Sequence, residues 1–133
     1  MLRIVLDTNI FISAFLSPSG TAGRAWQAAR QRRFRLVTSP YIVAEVARIL
    51  RRFKWDEKEI VQRLKQISRA ADIIQPTTKL QVVRDPNDNP IVECAVDGRA
   101  DLIVSLDKDL LTLKSYNNIP VLHVVGLLRT LGE

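Results

Sequence analysis

The chain has 133 residues, of which 47% are hydrophobic, a length and composition that suit one globular domain and leave no room for a second. Its net charge of +6 favours a polyanionic partner such as nucleic acid or an acidic protein, although a basic solvated surface explains the charge equally well. The single cysteine excludes an intrachain disulfide, and no apolar stretch resembles a membrane span or a signal peptide. We therefore expect one soluble cytoplasmic domain over residues 1–133, without membrane association.

Short apolar runs rich in β-branched residues alternate with helical patterns along the chain. The runs cover residues 2–6, 35–38, 72–74, 102–106 and 121–125. Such alternation predicts βα units, and the continuous apolar character of RIVL and LIVSL predicts strands covered on both faces in a parallel sheet. The sequence therefore predicts an α/β fold.

Two helices are predicted between the first three strands. An Ala-rich helix covers residues 21–32, with alanines and Trp26 facing inward. The next helix begins at Pro40 after a capping Ser39, and its apolar residues recur at helical spacing as far as Phe53.

Two further helices are predicted around the third strand. The first begins at Asp56, which forms a capping-box-like pair with Glu59. Its predicted buried residues are Ile60, Val61, Leu64 and Ile67. The second follows the segment DPNDNP, because Pro90 is tolerated only in the first turn of a helix.

Four acidic residues are placed by these elements near one edge of the sheet. Ligand sites of open parallel α/β sheets lie beyond the carboxyl ends of the strands. Asp7 ends the first strand and Asp107 ends the fourth. Asp88 heads the helix before that fourth strand, and Glu45 lies on the flank of its helix's apolar stripe. All four side chains could therefore meet in one pocket.

Each acid also has an ordinary structural explanation. Asp7, Asp88 and Asp107 are good helix N-caps, and Glu45 can pair with Arg48 three positions later. Taken singly, these explanations are favoured. The coincidence of several such acids at one edge favours a shared site instead.

A cluster of carboxylates needs a cation, since neighbouring carboxylates repel and raise one another's pKa. Mg²⁺ and Mn²⁺ prefer oxygen ligands, and Mg²⁺ takes one or two carboxylates together with water and phosphate oxygens. One Cys and one His are too few for a zinc cluster, and His123 lies in a predicted strand where packing is its favoured role. No Walker A or GxGxxG loop follows the first strand. The pattern indicates Mg²⁺ or Mn²⁺.

An ordered set of motifs resembles PIN-domain proteins over the whole chain. The motifs are LDTNIF with Asp7 and Asn9, SPYIVAEVARIL with Glu45, DPNDNPIVECA with Asp88, and ADLIVSLDKDLL with Asp107 and Asp109. The chain is similar more narrowly to the small single-domain members described as toxins of toxin–antitoxin pairs. This resemblance implies a three-layer α/β/α fold with a parallel sheet in the order 3-2-1-4-5.

The resemblance also implies an activity, namely metal-dependent endonucleolytic cleavage of single-stranded RNA. It makes Asp7, Glu45, Asp88 and Asp107 the catalytic residues and the ligands of one or two Mg²⁺ or Mn²⁺ ions. Asn9 and Ser105 would hydrogen-bond to the carboxylates, to water or to the phosphate, and Asp109 is an acidic neighbour. The alternative is a catalytically silent PIN-like module that binds RNA or protein.

Two arginine clusters, RQRRFR and RILRRFK, are candidate RNA contacts. RNA contact, simple solvation and docking of an acidic antitoxin explain them equally well. The tryptophans and tyrosines are too scattered along the chain to indicate a base-stacking platform. By family analogy we expect an antitoxin partner and a homodimer. The arginines predicted to contact RNA are Arg30, Arg32, Arg33, Arg48, Arg51 and Arg52.

Overall fold

The computed structural model describes residues 1–133. Its strands are β1 (Arg3–Leu6), β2 (Arg35–Thr38), β3 (Ala71–Ile73), β4 (Leu102–Ser105), β5 (Ser115–Tyr116) and β6 (Ile119–His123). Its α-helices are α1 (Thr8–Leu16), α2 (Thr21–Arg30), α3 (Pro40–Arg52), α4 (Glu57–Ala70), α5 (Asn89–Asp97), α6 (Lys108–Thr112) and α7 (Val124–Thr130). A 3₁₀ turn at Pro86–Asp88 precedes α5. None of the helices has the length and apolar character that crossing a membrane requires.

The strands form one sheet in the order β3-β2-β1-β4-β6-β5. All neighbouring pairs are parallel except the short edge strand β5, which is antiparallel to β6. The predicted α/β class is confirmed. The order 3-2-1-4-5 also holds when β6 is counted as the fifth predicted strand, and β5 is an addition at the edge.

Helices cover both faces of the sheet. Ile4, Val5 and Leu6 of β1 are all fully buried, and successive strand residues point to opposite faces. Helix α5 packs against β1, β2 and β4, while α1 and α7 pack against β4 and α2 packs against α1 and α7. The strands therefore carry the continuous apolar runs expected of a sheet between two helical layers.

The two helices predicted between the first three strands are present. Helix α2 ends two residues earlier than predicted, because Arg32 has a φ of 59° and a residue in the left-handed region cannot continue the helix. Helix α3 has the predicted cap, in which the Ile42 N–H donates to Ser39 Oγ at 3.3 Å.

Two details predicted for α4 are wrong. The Asp56 carboxylate accepts a hydrogen bond from the Lys58 N–H, but Glu59 does not return one to Asp56, so no capping box forms. Val61, predicted to be buried, is 46% exposed. Helix α4 packs mainly on α3 and β3, so the covered stripe is narrower than its apolar sequence suggests.

The sequence pattern predicts no bounds for three of the helices, namely α1, α6 and α7. Helix α1 is buried on nearly all sides, so it has no polar face to reveal the helical period. Helices α6 and α7 are short. The predicted packing role of His123 is wrong, because this exposed residue caps α7 by accepting the Val125 N–H on Nδ1 at 3.2 Å.

A polar stripe on α5 fixes the long connection that follows β3. We call residues 74–85 the wall segment. It has no regular secondary structure, so its main-chain N–H groups need other acceptors. They are supplied at every fourth position of α5: Asn89 accepts from Val82 and Val83, Glu93 from Leu80, and Asp97 from Thr77 and Thr78.

Replacing Asn89 by alanine tests this stripe. The change removes the acceptor of two main-chain N–H groups, at 2.9 and 3.0 Å, one of which is buried. We expect the free energy of unfolding to fall by about 1–3 kcal/mol, measured by urea denaturation. Asn87→Ala is the control, because the Asn87 side chain is exposed and makes no hydrogen bond, and it should change stability by less than about 0.5 kcal/mol. Equal stability of the two variants would contradict the role of Asn89.

Candidate active site

A cleft of about 370 Å³ opens at the carboxyl edge of the sheet, and the four predicted acids line it. Because β1 and β4 are parallel neighbours, with Leu6 opposite Val104, the residues that follow them lie at the same edge. These residues include Asp7 and Asp107. The 3₁₀ turn before α5 contributes Asp88, and α3 contributes Glu45. We call this cavity the acidic cleft.

Asp7 is held by the strand beside it. Its side chain is 2% exposed, and its Oδ2 accepts a hydrogen bond from Ser105 Oγ at 2.7 Å. Ser105 Oγ in turn accepts the Asp107 N–H at 2.9 Å. Although Asp7 precedes α1, its carboxylate makes no capping hydrogen bond. Burial raises the pKa of Asp7 and the charge of Asp107 adds to the increase, while the hydrogen bond from Ser105 opposes them.

Asp107 caps α6 and also lines the acidic cleft. Its Oδ1 accepts the Asp109 N–H at 2.9 Å, so the N-cap explanation is correct for one of its oxygens. Asp109 contributes this N–H, and its own side chain is not part of the cleft lining.

Asp88 is the most perturbed group in the cleft. It precedes α5 without a side-chain capping bond, and its Oδ2 is buried without any hydrogen-bond partner. Burial raises the pKa of Asp88 to about 8, and the neighbouring Asp107 and Asp7 carboxylates add to the increase. Without a cation the Asp88 and Asp107 carboxyl groups therefore retain a proton between them at neutral pH.

Glu45 has the ordinary partner that its sequence position suggests. Its Oε1 accepts a hydrogen bond from Arg48 Nη2 at 2.8 Å. The pair is partly exposed, and such pairs contribute about 1 kcal/mol or less. Glu45 can therefore exchange Arg48 for another cation in the cleft at little cost.

The remaining predicted polar residues differ in their placement. Asn9 lines the cleft with an exposed side chain that makes no hydrogen bond, whereas Ser105 is buried behind Asp7. Asp85 also lines the cleft, and it accepts the Asn87 N–H at 3.0 Å in the expected turn. Asn87 was missed as a lining residue, although the polar run DPNDNP contains it.

The arginine clusters lie at opposite edges of the sheet. Arg48 and Arg52 line the acidic cleft. Arg51 does not line it and forms an ion pair with Glu57 at 3.0 Å. Arg30, Arg32 and Arg33 precede β2, so a four-residue strand of roughly 13 Å separates them from the carboxyl edge. The cleft gives no support to RNA contact by these three, which stays a prediction.

The acidic cleft offers the hard oxygen donors that Mg²⁺ and Mn²⁺ prefer. No group of three or more acidic, His or Cys side chains is close enough to hold a metal ion by itself. Water and substrate oxygens would therefore have to complete the coordination, as is usual for Mg²⁺. The unpartnered oxygen of Asp88 is the atom that most needs a cation or a proton.

Sequence comparisons with known proteins match this chain to one protein family and to one curated relative. The family model described as "PIN domain" matches residues 3–109. An uncharacterized protein of Methanocaldococcus jannaschii is 33% identical over 121 residues, which cover 87% of this chain and 77% of that protein.

Two solved structures share the fold. PAE2754 from Pyrobaculum aerophilum has a TM-score of 0.68 at 15% identity, over 98% of this chain and 90% of its own. VapBC2 from Rickettsia felis, solved bound to a DNA fragment from their promoter, has a TM-score of 0.64 at 16% identity, over 92% and 98%.

The raised pKa of Asp88 predicts the pH dependence of stability without divalent metal. Between the ordinary value of 3.8 and about 8 the folded protein holds a proton that the unfolded chain has lost, so the free energy of unfolding falls as pH rises through this range. Asp88→Asn should flatten this slope and add about 1–3 kcal/mol near pH 8, a range reduced for partial exposure. Urea denaturation in EDTA at several pH values measures the slope and the difference in the free energy of unfolding. Asp109→Asn, the control outside the cleft lining, should keep the slope; an unchanged slope in Asp88→Asn would contradict the assignment.

Proposed function

Because the chain belongs to the PIN domain family, we propose that it is a metal-dependent endoribonuclease that hydrolyses phosphodiester bonds of single-stranded RNA. The supporting observation is the acidic cleft, in which Asp88 lies beside Asp7 and Asp107 with an unpartnered buried oxygen. PIN domains are generally nucleases, and five acids line this cleft, namely Asp7, Glu45, Asp85, Asp88 and Asp107.

In this proposal Asp7, Glu45, Asp88 and Asp107 would hold one or two Mg²⁺ or Mn²⁺ ions together with water and substrate oxygens. When bound, such ions activate a water molecule for in-line attack and neutralise charge on the phosphate oxygens. Ser105 keeps the Asp7 carboxylate in one orientation through the 2.7 Å hydrogen bond. Asp88 would hold such an ion only in its ionised form, so metal affinity and the ionisation of this group would be coupled.

The two arginines of the acidic cleft bind the RNA backbone in this proposal. Arg52 lines the cleft and has no ion-pair or hydrogen-bond partner, so its guanidinium is free to bind a phosphate. Arg48 is shared with Glu45 and becomes available if Glu45 turns to a metal ion. The exposed amide of Asn9 is a further donor toward a phosphate oxygen.

We also propose that this protein is the cytoplasmic toxin of a toxin–antitoxin pair, with a cognate antitoxin as partner. The fold shared with a VapBC2 structure supports this proposal. Co-purification of a neighbouring gene's product from the native operon, together with growth rescue by it, tests it, and a lack of both would contradict it. The proposed homodimer is tested by light scattering, where a monomer mass would refute it.

Asp7→Asn should abolish RNA cleavage and leave the fold intact. The asparagine can still accept the Ser105 hydroxyl proton, but it lacks the charge to bind a divalent cation. The measurement is gel analysis of single-stranded RNA incubated with Mg²⁺ or Mn²⁺, and chelation should stop cleavage by the wild type. Circular dichroism checks folding. Equal cleavage by the variant would refute the assignment of RNA cleavage to the acidic cleft. Metal-independent RNA binding without cleavage products would indicate the catalytically silent binding module.

Arg52→Ala and Arg51→Ala form a matched pair of adjacent substitutions. Losing one phosphate contact in Arg52→Ala should weaken RNA binding and make the negative slope of log affinity against log salt shallower by about 0.7. Arg51 pairs with Glu57 away from the cleft, so its variant should keep the wild-type slope. Fluorescence anisotropy at several salt concentrations decides, and identical slopes for the two variants would exclude Arg52 as a phosphate contact.

A further inference from the structure

A second cavity, of about 440 Å³, lies beside the acidic cleft. The start of α3, the wall segment and the start of α5 form its lining, and we call it the Tyr41 pocket. Its volume falls within the range of small-ligand pockets, roughly 300–1,000 Å³. Four prolines line it, namely Pro40, Pro76, Pro86 and Pro90, so much of its lining is conformationally restricted.

The Tyr41 pocket and the acidic cleft share their dividing residues. Tyr41 in the pocket and Glu45 in the cleft are one turn apart on α3, about 6 Å along the axis. On the other side, Pro86 of the pocket directly follows Asp85 of the cleft. Burial and the neighbouring Glu45 charge raise the pKa of the Tyr41 hydroxyl, and Asp88 and Asp85 add to the effect. The two cavities are therefore adjacent parts of one surface.

The polar groups of the Tyr41 pocket divide into those already bonded and those left free. Asn89 Oδ1 and Glu93 Oε2 accept main-chain N–H groups of the wall segment, so each of these two oxygens already has a partner. The Tyr41 ring is 42% exposed, and its hydroxyl makes no hydrogen bond. The same is true of the side chains of Gln75, Lys79 and Gln81.

These free groups match the chemistry of a nucleobase. Single-stranded RNA is recognised by stacking of its bases on aromatic rings and by hydrogen bonds to the base edges. Tyr41 offers the ring, the glutamine amides offer both donors and acceptors, and Lys79 offers a cation for a phosphate. The hydrogen bonds from α5 fix the wall that carries the glutamines, which reduces the entropy lost on binding.

We infer that the Tyr41 pocket binds a nucleobase of the RNA strand next to the phosphodiester that is cleaved in the acidic cleft. This inference rests on the proposed function for its substrate class. Tyr41 stacks on the base, and Gln75 and Gln81 bond to its edge. An extended segment of a partner protein is the competing occupant, but the shared wall with the acidic cleft and the unpaired cation of Lys79 favour RNA.

Binding to the Asp7→Asn protein tests the inference independently of cleavage. The probes are fluorescein-labelled short single-stranded RNAs of mixed sequence, intact or with one abasic position, followed by anisotropy. Tyr41→Ala in this background should weaken binding of the intact RNA about tenfold, and Tyr41→Phe should weaken it much less because the ring remains. Phe53→Ala removes an exposed aromatic ring at the far end of α3 and is the matched control.

The abasic probes separate stacking from a general loss of affinity. One abasic position should weaken binding to the Asp7→Asn protein by about the same factor as Tyr41→Ala, and should weaken the Tyr41→Ala protein no further. Equal loss with every abasic probe in both proteins would overturn the inference. So would unchanged RNA affinity of Tyr41→Ala combined with loss of a co-purified protein partner.

The two proposals can fail separately. If wild-type protein cleaves no RNA but Tyr41→Ala selectively loses base-dependent binding, nucleobase binding by the Tyr41 pocket is supported and the nuclease activity is refuted. If wild-type and Tyr41→Ala proteins cleave and bind RNA equally well, the nuclease activity is supported and nucleobase binding by the Tyr41 pocket is refuted.

Discussion

The burial of Asp7 between the ends of β1 and β4 is the constraint on which the candidate site depends. A carboxylate that is almost inaccessible to water is costly unless it is hydrogen-bonded and balanced by a cation or a proton. Ser105 provides the hydrogen bond, and its own Oγ is held by the Asp107 N–H. This chain of contacts ties the two central strands together and fixes the spacing of the carboxylates that follow them. Burial, together with the neighbouring Asp107 and Asp7 carboxylates, raises the pKa of Asp88 in the same cleft.

Helix α5 links this electrostatic problem to the shape of the neighbouring surface. Its first turn follows Asp88, which faces the acidic cleft, and its polar stripe from Asn89 to Asp97 holds the wall segment. A change in the position of α5 would therefore alter the cleft and the Tyr41 pocket together. The wall segment needs this support because an irregular stretch has no ladder partners for its main-chain groups.

The sequence predicts those parts of the fold in which a periodic pattern coincides with the final packing. The parallel strands are recognised by short continuous apolar runs because both faces are buried, and α3 by a period of 3.6 because one stripe is buried. Helix α1 leaves none because it is enclosed, and Val61 misleads because apolar character does not ensure a covering neighbour. In the cleft, strand ends locate Asp7 and Asp107, whereas the role of Tyr41 depends on tertiary neighbours that spacing along the chain does not reveal.

The charge of +6 shows why composition alone does not locate the site. Part of the positive charge is already paired: Arg3 and Arg35 bind Asp72, Arg33 binds Glu133, and Arg51 binds Glu57. Pairing of this kind leaves those guanidinium groups less free to bind phosphate. Arg52, unpaired beside an acidic cleft, is exceptional because its position would otherwise favour an ion pair with a neighbouring acid. Arg52 therefore places a free guanidinium donor beside a group of carboxylates of which Glu45 alone has an arginine partner.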